Sequence, residues 1–192
     1  MPDKHVIIVT DGDQAALAAV ETACANVHGR CISLSGGHQP HDGDLSADEL
    51  VALIQSTPYD PVVVLCDDAG DILEGRGEKL IRALAAYEGI ELIGAVAVAS
   101  RAKGSKGVEV DLSVTRAGSV THKAVNKEGI PVKGKQRGDT VSVLNDISLP
   151  IIVGLGDPGK MDWADDVRKG APITTKALQL IMDHHAGRFR NG

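Results

Sequence analysis

Aromatic side chains are nearly missing: Trp163, Tyr59, Tyr87 and Phe189 are the only ones in 192 residues. Single-stranded nucleic acids are gripped by stacked aromatic platforms, so that class is excluded and nucleic acid is not an expected partner. Whatever core the chain builds must be aliphatic. Long apolar runs are missing too. Ile90–Ala99 and Pro61–Cys66 are the longest, well short of the roughly 20 residues that span a bilayer. The opening Met1-Pro2-Asp3-Lys4-His5 leads directly into a β-branched run, without the basic start, apolar stretch and cleavage site of a secretory signal. A soluble protein made in the cytoplasm is therefore expected. Cys24, Cys31 and Cys66 are odd in number and lie in apolar segments, which suits reduced core thiols rather than a disulfide framework.

What is present is an ordinary globular composition, 43% hydrophobic and 24% charged, long enough to bury a core without staples. One domain over residues 1–192 is expected. The net charge of −6 is unevenly spread: residues 101–139 hold nine basic against four acidic side chains, a local +5 that leaves −11 elsewhere. Such a basic excursion can meet an anionic surface, or can simply be a solvated lysine-rich loop.

Through Ala99 the pattern alternates between strand and helix. His5–Val9 is a doubly buried strand that ends in Thr10-Asp11-Gly12-Asp13, followed by a helical stretch over Ala15–Val27. Cys31–Leu34 repeats the strand signal. Ser46 with Glu49 three residues on is a capping box for a helix carrying Leu50, Leu53 and Ile54. Val62–Cys66 is another strand, Glu78–Tyr87 a helix closed by Gly89, and Ile90–Ala99 a fourth buried strand. This alternation predicts an α/β fold, a mainly parallel sheet with helices on both faces, of the three-layer Toprim-like or Rossmann-like kind. Val108, Val110, Leu112 and Val114 then alternate with polar residues, predicting a half-exposed strand in a β-hairpin extension within residues 101–140. A surface excursion over Thr121–Arg137, a short strand around Thr140–Leu144, a buried strand at Ile151–Val153 and a last helix over Ile173–His185 capped by Thr174 or Thr175 complete the reading.

In such sheets ligands meet the carboxyl ends of the strands, where the acidic residues cluster. Asp11 and Asp13 follow the first strand, Asp67, Asp68 and Asp71 the third, and Asp157 the last. Gathered carboxylates bind Mg²⁺, and Asp11, Asp13, Asp67 and Asp68 are the candidate metal ligands. No other cofactor is expected. Asp also caps helices and shapes turns without any ion, and both readings stay open. The acids after the first and third strands are similar to the Toprim arrangement, except that aspartate stands where those enzymes have glutamate. Asp11-Gly12-Asp13 has the spacing of a haloacid-dehalogenase nucleophile turn, without an identifiable lysine and later acid pair. Gly154, Gly156, Gly159 and Lys160 resemble a phosphate-binding loop and are candidate anion ligands, but Met161 stands where that loop needs Ser or Thr. His38 and His41 with Asp42 and Asp44 offer metal-ligand chemistry in one polar loop, while His184-His185 sits at a helix end where positive charge is favourable anyway. No activated nucleophile is evident.

The blocks Val6–Asp13, Gly29–Ser35, Pro58–Val62, Asp67-Asp68 with Gly75–Glu78, Gly94–Ser100, Gly138–Thr140, Ile152–Met161 and Lys169–Thr174 together resemble stage V sporulation protein AE, the soluble AE family among the SpoVA proteins of spore-forming Firmicutes. The resemblance spans nearly the whole chain and rests on family markers rather than on a catalytic motif. It implies a non-enzymatic accessory component of the SpoVA system, which takes up dipicolinic acid with Ca²⁺ in sporulation and releases it in germination. It also implies contact with other SpoVA proteins and peripheral association with the spore inner membrane, helped by weak anionic-surface contact through residues 101–139. The alternative from the residues alone is a Mg²⁺-dependent phosphoryl-transfer or Toprim-like enzyme using the strand-end carboxylates.

Overall fold

The computed structural model describes residues 3–10, 12–34, 46–66, 76–100 and 106–188. Among them, seven strands form one sheet: β1 (Lys4–Thr10), β2 (Arg30–Ser33), β3 (Val62–Cys66), β4 (Ile90–Val98), β5 (Leu112–Val114), β6 (Val120–Thr121) and β7 (Ile152–Leu155). Their spatial order is β2-β3-β1-β4-β7-β5-β6. Every pairing is parallel except the β5–β6 hairpin.

The β-branched strands have no polar face because both faces are covered. Ile7, Val9, Val63, Val96 and Val153 pack beneath α1 (Gln14–Asn26) and α4 (Pro172–His185). Val6, Ile8, Val62, Val64 and Ala95 pack beneath α2 (Ala47–Ser56) and α3 (Arg76–Ala85). The three-layer α/β fold expected from the alternating periodicities is the fold observed. Ser46 caps α2 as its sequence implies: its Oγ accepts from the Glu49 amide at 3.2 Å, and the Glu49 carboxylate accepts from the Ser46 amide at 2.8 Å.

The second half departs from the pattern in informative ways. Leu112, Ser113 and Val114 are all buried rather than half-exposed, because β5 lies in the sheet, with Leu112 and Ser113 registered on Val153 and Gly154 of β7. Thr140–Asn145 is a 3-10 turn, not a strand. Val141 and Leu144, three residues apart as the turn's repeat requires, both point inward against α3. The excursion is also less superficial than its composition suggests. Gln136 is wholly buried; its Nε2 donates to the carbonyls of Ala97 and Leu155, both at 3.0 Å, and its Oε1 accepts from the Val125 amide at 2.9 Å. One side chain thus fastens this segment across the ends of β4 and β7.

Finally, α4 begins at Pro172, and neither Thr174 nor Thr175 is its N-cap. The N-cap is Ala171, whose side chain has nothing to offer. Asp165, buried seven residues upstream of Pro172, supplies the acceptors: Oδ1 receives the Ile173 and Thr174 amides at 2.8 and 2.9 Å, and Oδ2 receives the Thr174 hydroxyl at 2.6 Å. Orphan amides of the first helical turn are thereby satisfied from a distance.

Candidate functional site

The carboxyl ends of β1, β4 and β7 adjoin, and a cleft of about 250 Å³ opens there, lined by Gly12, Asp13, Val98, Ser100, Lys127, Asp139, Asp157 and Lys160. Two of its walls come from the turns that the sequence singles out, the one after β1 and the glycine-rich one after β7. The third comes from the basic excursion, through Lys127. Asp139 is positioned by its amide, which donates to Ser100 Oγ at 2.8 Å.

Asp13 is the candidate metal ligand that lies among the described residues. Its Oδ1 accepts from the Ala15 and Ala16 amides at 3.0 and 3.1 Å, making it the N-cap of α1. Its Oδ2 accepts from Lys160 Nζ at 2.5 Å. Both oxygens are thus engaged. Burial pushes the Asp13 carboxyl upward, but the Lys160 ammonium and the two helix amides outweigh it, and the group sits below the ordinary aspartate value. Lys160 also donates to Asp157 Oδ2 at 3.1 Å, and Lys127 Nζ lies 3.5 Å from the same oxygen. Burial alone would lower the Lys160 pKa, yet its two carboxylate partners hold it above the ordinary lysine value. Lys160 therefore ties two of the three strand ends together as an ammonium between two carboxylates. Asp11, Asp67 and Asp68, the other candidate ligands, lie outside the described residues, as do Asp71 and the His38, His41, Asp42 and Asp44 loop. The pairing of β1 with β3 does place the carboxyl end of β3 beside that of β1.

The glycine-rich loop is shaped by close packing. A side chain at Gly154 would meet Ser113 Oγ at 2.2 Å, and one at Gly156 would meet the Lys127 carbonyl and the Gly129 amide, each at 2.8 Å. Gly159 has φ +76 and rests on α1, where a Cβ would lie 2.7 Å from the Ala15 carbonyl; only glycine takes that conformation without strain. The loop amides face inward. Asp157 N donates to the Lys127 carbonyl at 2.8 Å, Gly159 N to Asp165 Oδ2 at 2.9 Å and Lys160 N to the Asp157 carbonyl at 3.2 Å. The chain then passes through Met161, Asp162 and Trp163, three successive non-glycine residues with φ between +48 and +64. The Lys169 ammonium donates to the Trp163 carbonyl at 2.6 Å. Asp165 and Gln136, which hold this rim in place, were not singled out by sequence. Asp165 lies too far from α4 for the local spacing of a capping box, and Gln136 sits in a segment without periodicity.

Away from the cleft, Cys24 and Cys66 are buried, Cys31 is half-buried, and all three are free thiols. A hydrogen bond with Cys31 and burial together push the Cys24 thiol well above its ordinary value, the opposite of what a nucleophilic cysteine requires.

Among the described residues no helix is long and apolar enough to cross a membrane. No curated protein and no solved structure matches the chain. A family model does, SpoVAE, described as stage V sporulation protein AE1, over residues 5–185. With nearly its whole length matched, the chain belongs to the stage V sporulation protein AE1 family, and its role is one in sporulation.

Proposed function

We propose that this protein is a non-enzymatic accessory component of the SpoVA system, acting in the uptake of dipicolinic acid with Ca²⁺ during sporulation and in its release at germination. Membership of the family supports a place beside other SpoVA components. The observation that supports the non-enzymatic part is that Asp13, the candidate ligand among the described residues, serves the fold: it caps α1 and pairs with Lys160, which also holds Asp157.

In this reading the protein reaches the spore inner membrane through protein contacts. They are assisted by weak attraction between anionic lipid and the basic excursion, where Lys127, Lys133, Lys135 and Arg137 line a second cleft of about 280 Å³. A clean deletion strain is expected to make spores with altered dipicolinate content or germination kinetics, and cross-linking in sporulating cells is expected to capture SpoVA proteins. Spores indistinguishable from the parent in both measurements would refute the proposal.

One observation favours the second reading, a Mg²⁺-dependent phosphoryl-transfer enzyme of Toprim-like organisation: β1 lies next to β3, so the turns bearing Asp11, Asp13, Asp67 and Asp68 belong to neighbouring strand ends. Saturable Mg²⁺ binding that disappears in Asp11→Asn or Asp67→Asn would replace the accessory reading with this one, and a flat titration would remove it.

A further inference from the structure

At the opposite end of the strands, where β1 and β4 begin, a separate group of side chains converges. His5 on β1 is the register partner of Glu91 on β4, and the last residue of α4, His185, closes over them with its ring centroid 4.4 Å from that of His5. His5 Nε2 is 3.6 Å from Glu91 Oε2, and His185 Nδ1 is 3.8 Å from Glu91 Oε1. Ligand atoms of all three residues lie within 4.8 Å of one another.

The arrangement has an outer layer. Asp60, just ahead of β3, accepts from the His5 backbone amide at 3.2 Å and lies 2.8 Å from His5 Nδ1. A carboxylate only accepts, so Asp60 holds a proton on Nδ1 and leaves Nε2, on the Glu91 side, as the nitrogen that can bind a metal ion. Two imidazole nitrogens and a carboxylate therefore face one another at separations too long for hydrogen bonds. Donors bound at about 2.0–2.1 Å to a tetrahedral zinc ion stand about 3.3–3.4 Å apart, so small side-chain rotations bring these three to the corners of such a site. The outer carboxylate on His5 is the usual device that fixes the tautomer and orientation of a metal-binding histidine.

We propose that His5 Nε2, His185 Nδ1 and the Glu91 carboxylate bind a divalent transition-metal ion of the zinc class, with Asp60 as the group that orients His5. Imidazole donors select zinc, nickel or copper over Mg²⁺ and Ca²⁺, which prefer oxygen. The three side chains are half-exposed, which leaves the fourth position open to water or to a donor from a partner. The ion would join the first strand to the end of the last helix, residues 180 positions apart in the chain.

Calorimetric titration of the tag-free full chain with zinc chloride at neutral pH tests this directly. One equivalent is expected to bind with micromolar affinity or better. Glu91→Gln and His185→Ala should each weaken binding at least tenfold, Asp60→Asn by about ten- to a hundredfold, and His122→Ala, on the far hairpin, should leave it unchanged. In the unsubstituted protein, zinc is expected to shift the imidazole resonances of His5 and His185. No saturable binding, binding unaffected in a Glu91→Gln/His185→Ala double variant, or shifts confined to other histidines would each overturn the proposal.

Discussion

Replacing Asp165 by alanine removes four acceptor contacts at once: those to the amides of Ile173, Thr174 and Gly159, and that to the Thr174 hydroxyl. The carboxylate is wholly buried, so water cannot take its place without reorganising the loop. A single hydrogen bond to a charged group contributes about 1.5–3 kcal/mol, and the loss of an N-cap costs about 1 kcal/mol. Bonds sharing one acceptor do not add in full, and about 4 kcal/mol is expected for Asp165→Ala, within the range for disrupting a buried polar group. For a chain of this length that corresponds to a fall in Tm of about 8–16 °C. Asp165→Asn keeps a carbonyl oxygen for the two helix amides but turns an NH₂ toward Gly159 N–H, and about 2 kcal/mol is expected. Thr174→Val removes only the hydroxyl bond and should cost about 1 kcal/mol. Thermal and urea unfolding followed by circular dichroism give all three values. Asp165→Ala within about 1 kcal/mol of the parent, a margin set by the size of one hydrogen bond, would refute the assignment of Asp165 as the remote cap of α4. So would an asparagine variant less stable than the alanine one.

Other perturbations have outcomes of comparable clarity. Gln136→Leu removes the bonds to the Ala97 and Leu155 carbonyls and to the Val125 amide, the Leu155 carbonyl keeping the Ala99 amide, and is expected to cost about 2–4 kcal/mol, with faster amide exchange over residues 108–136. The Asp13–Lys160 pair has a defined pH window. Asp13 titrates below its ordinary 3.8, so its contribution is present above that value and is lost as pH falls through the folded pKa; Lys160 titrates above its ordinary 10.5, so its contribution is present below that value and is lost as pH rises through the folded pKa. The stability difference between the parent and Lys160→Met should therefore be flat between these limits and shrink beyond each, as read from urea midpoints across pH. Ser113 Oγ is buried without a hydrogen-bond partner among the described residues, so Ser113→Ala is expected to be neutral or stabilising by up to about 1 kcal/mol in the same unfolding assay.

The first hundred residues were legible because their physics is local. Val62–Cys66 reads as a strand covered on both sides because it is short, β-branched and preceded by prolines, and Ser46 with Glu49 names its own helix start. Beyond Ser100 the determinants are distant in sequence. The alternation of Val108 to Val114 suggests a strand with a wet face, but β5 is buried because β7 arrives forty residues later to lie beside it. The run at Thr140–Asn145 forms a 3-10 turn against α3, a contact that no local pattern announces. At the rim, the sequence placed acids and glycines at strand ends, and Asp13, Asp157 and Lys160 do meet there. The long-range partners had no local signature: Asp13 meets Lys160 across 147 positions, and Asp165 reaches forward to a helix whose own start offers no cap. The meeting of His5 with His185 was hidden for the same reason, the two lying 180 positions apart in the sequence.

The order in which the strands occur and the order in which they stand differ twice: β1 lies between β3 and β4, and the second departure comes late in the chain. Along the chain the β5–β6 hairpin precedes β7, yet in the sheet β7 stands between β4 and β5. During synthesis, which proceeds from the N-terminus, the hairpin emerges before there is anything for it to pair with. Until residues 152–155 leave the ribosome, β4 carries an open apolar edge suited to unwanted association. Residues 152–155 thus complete the interior of the sheet rather than its margin, and chains released before them would lack an interior strand.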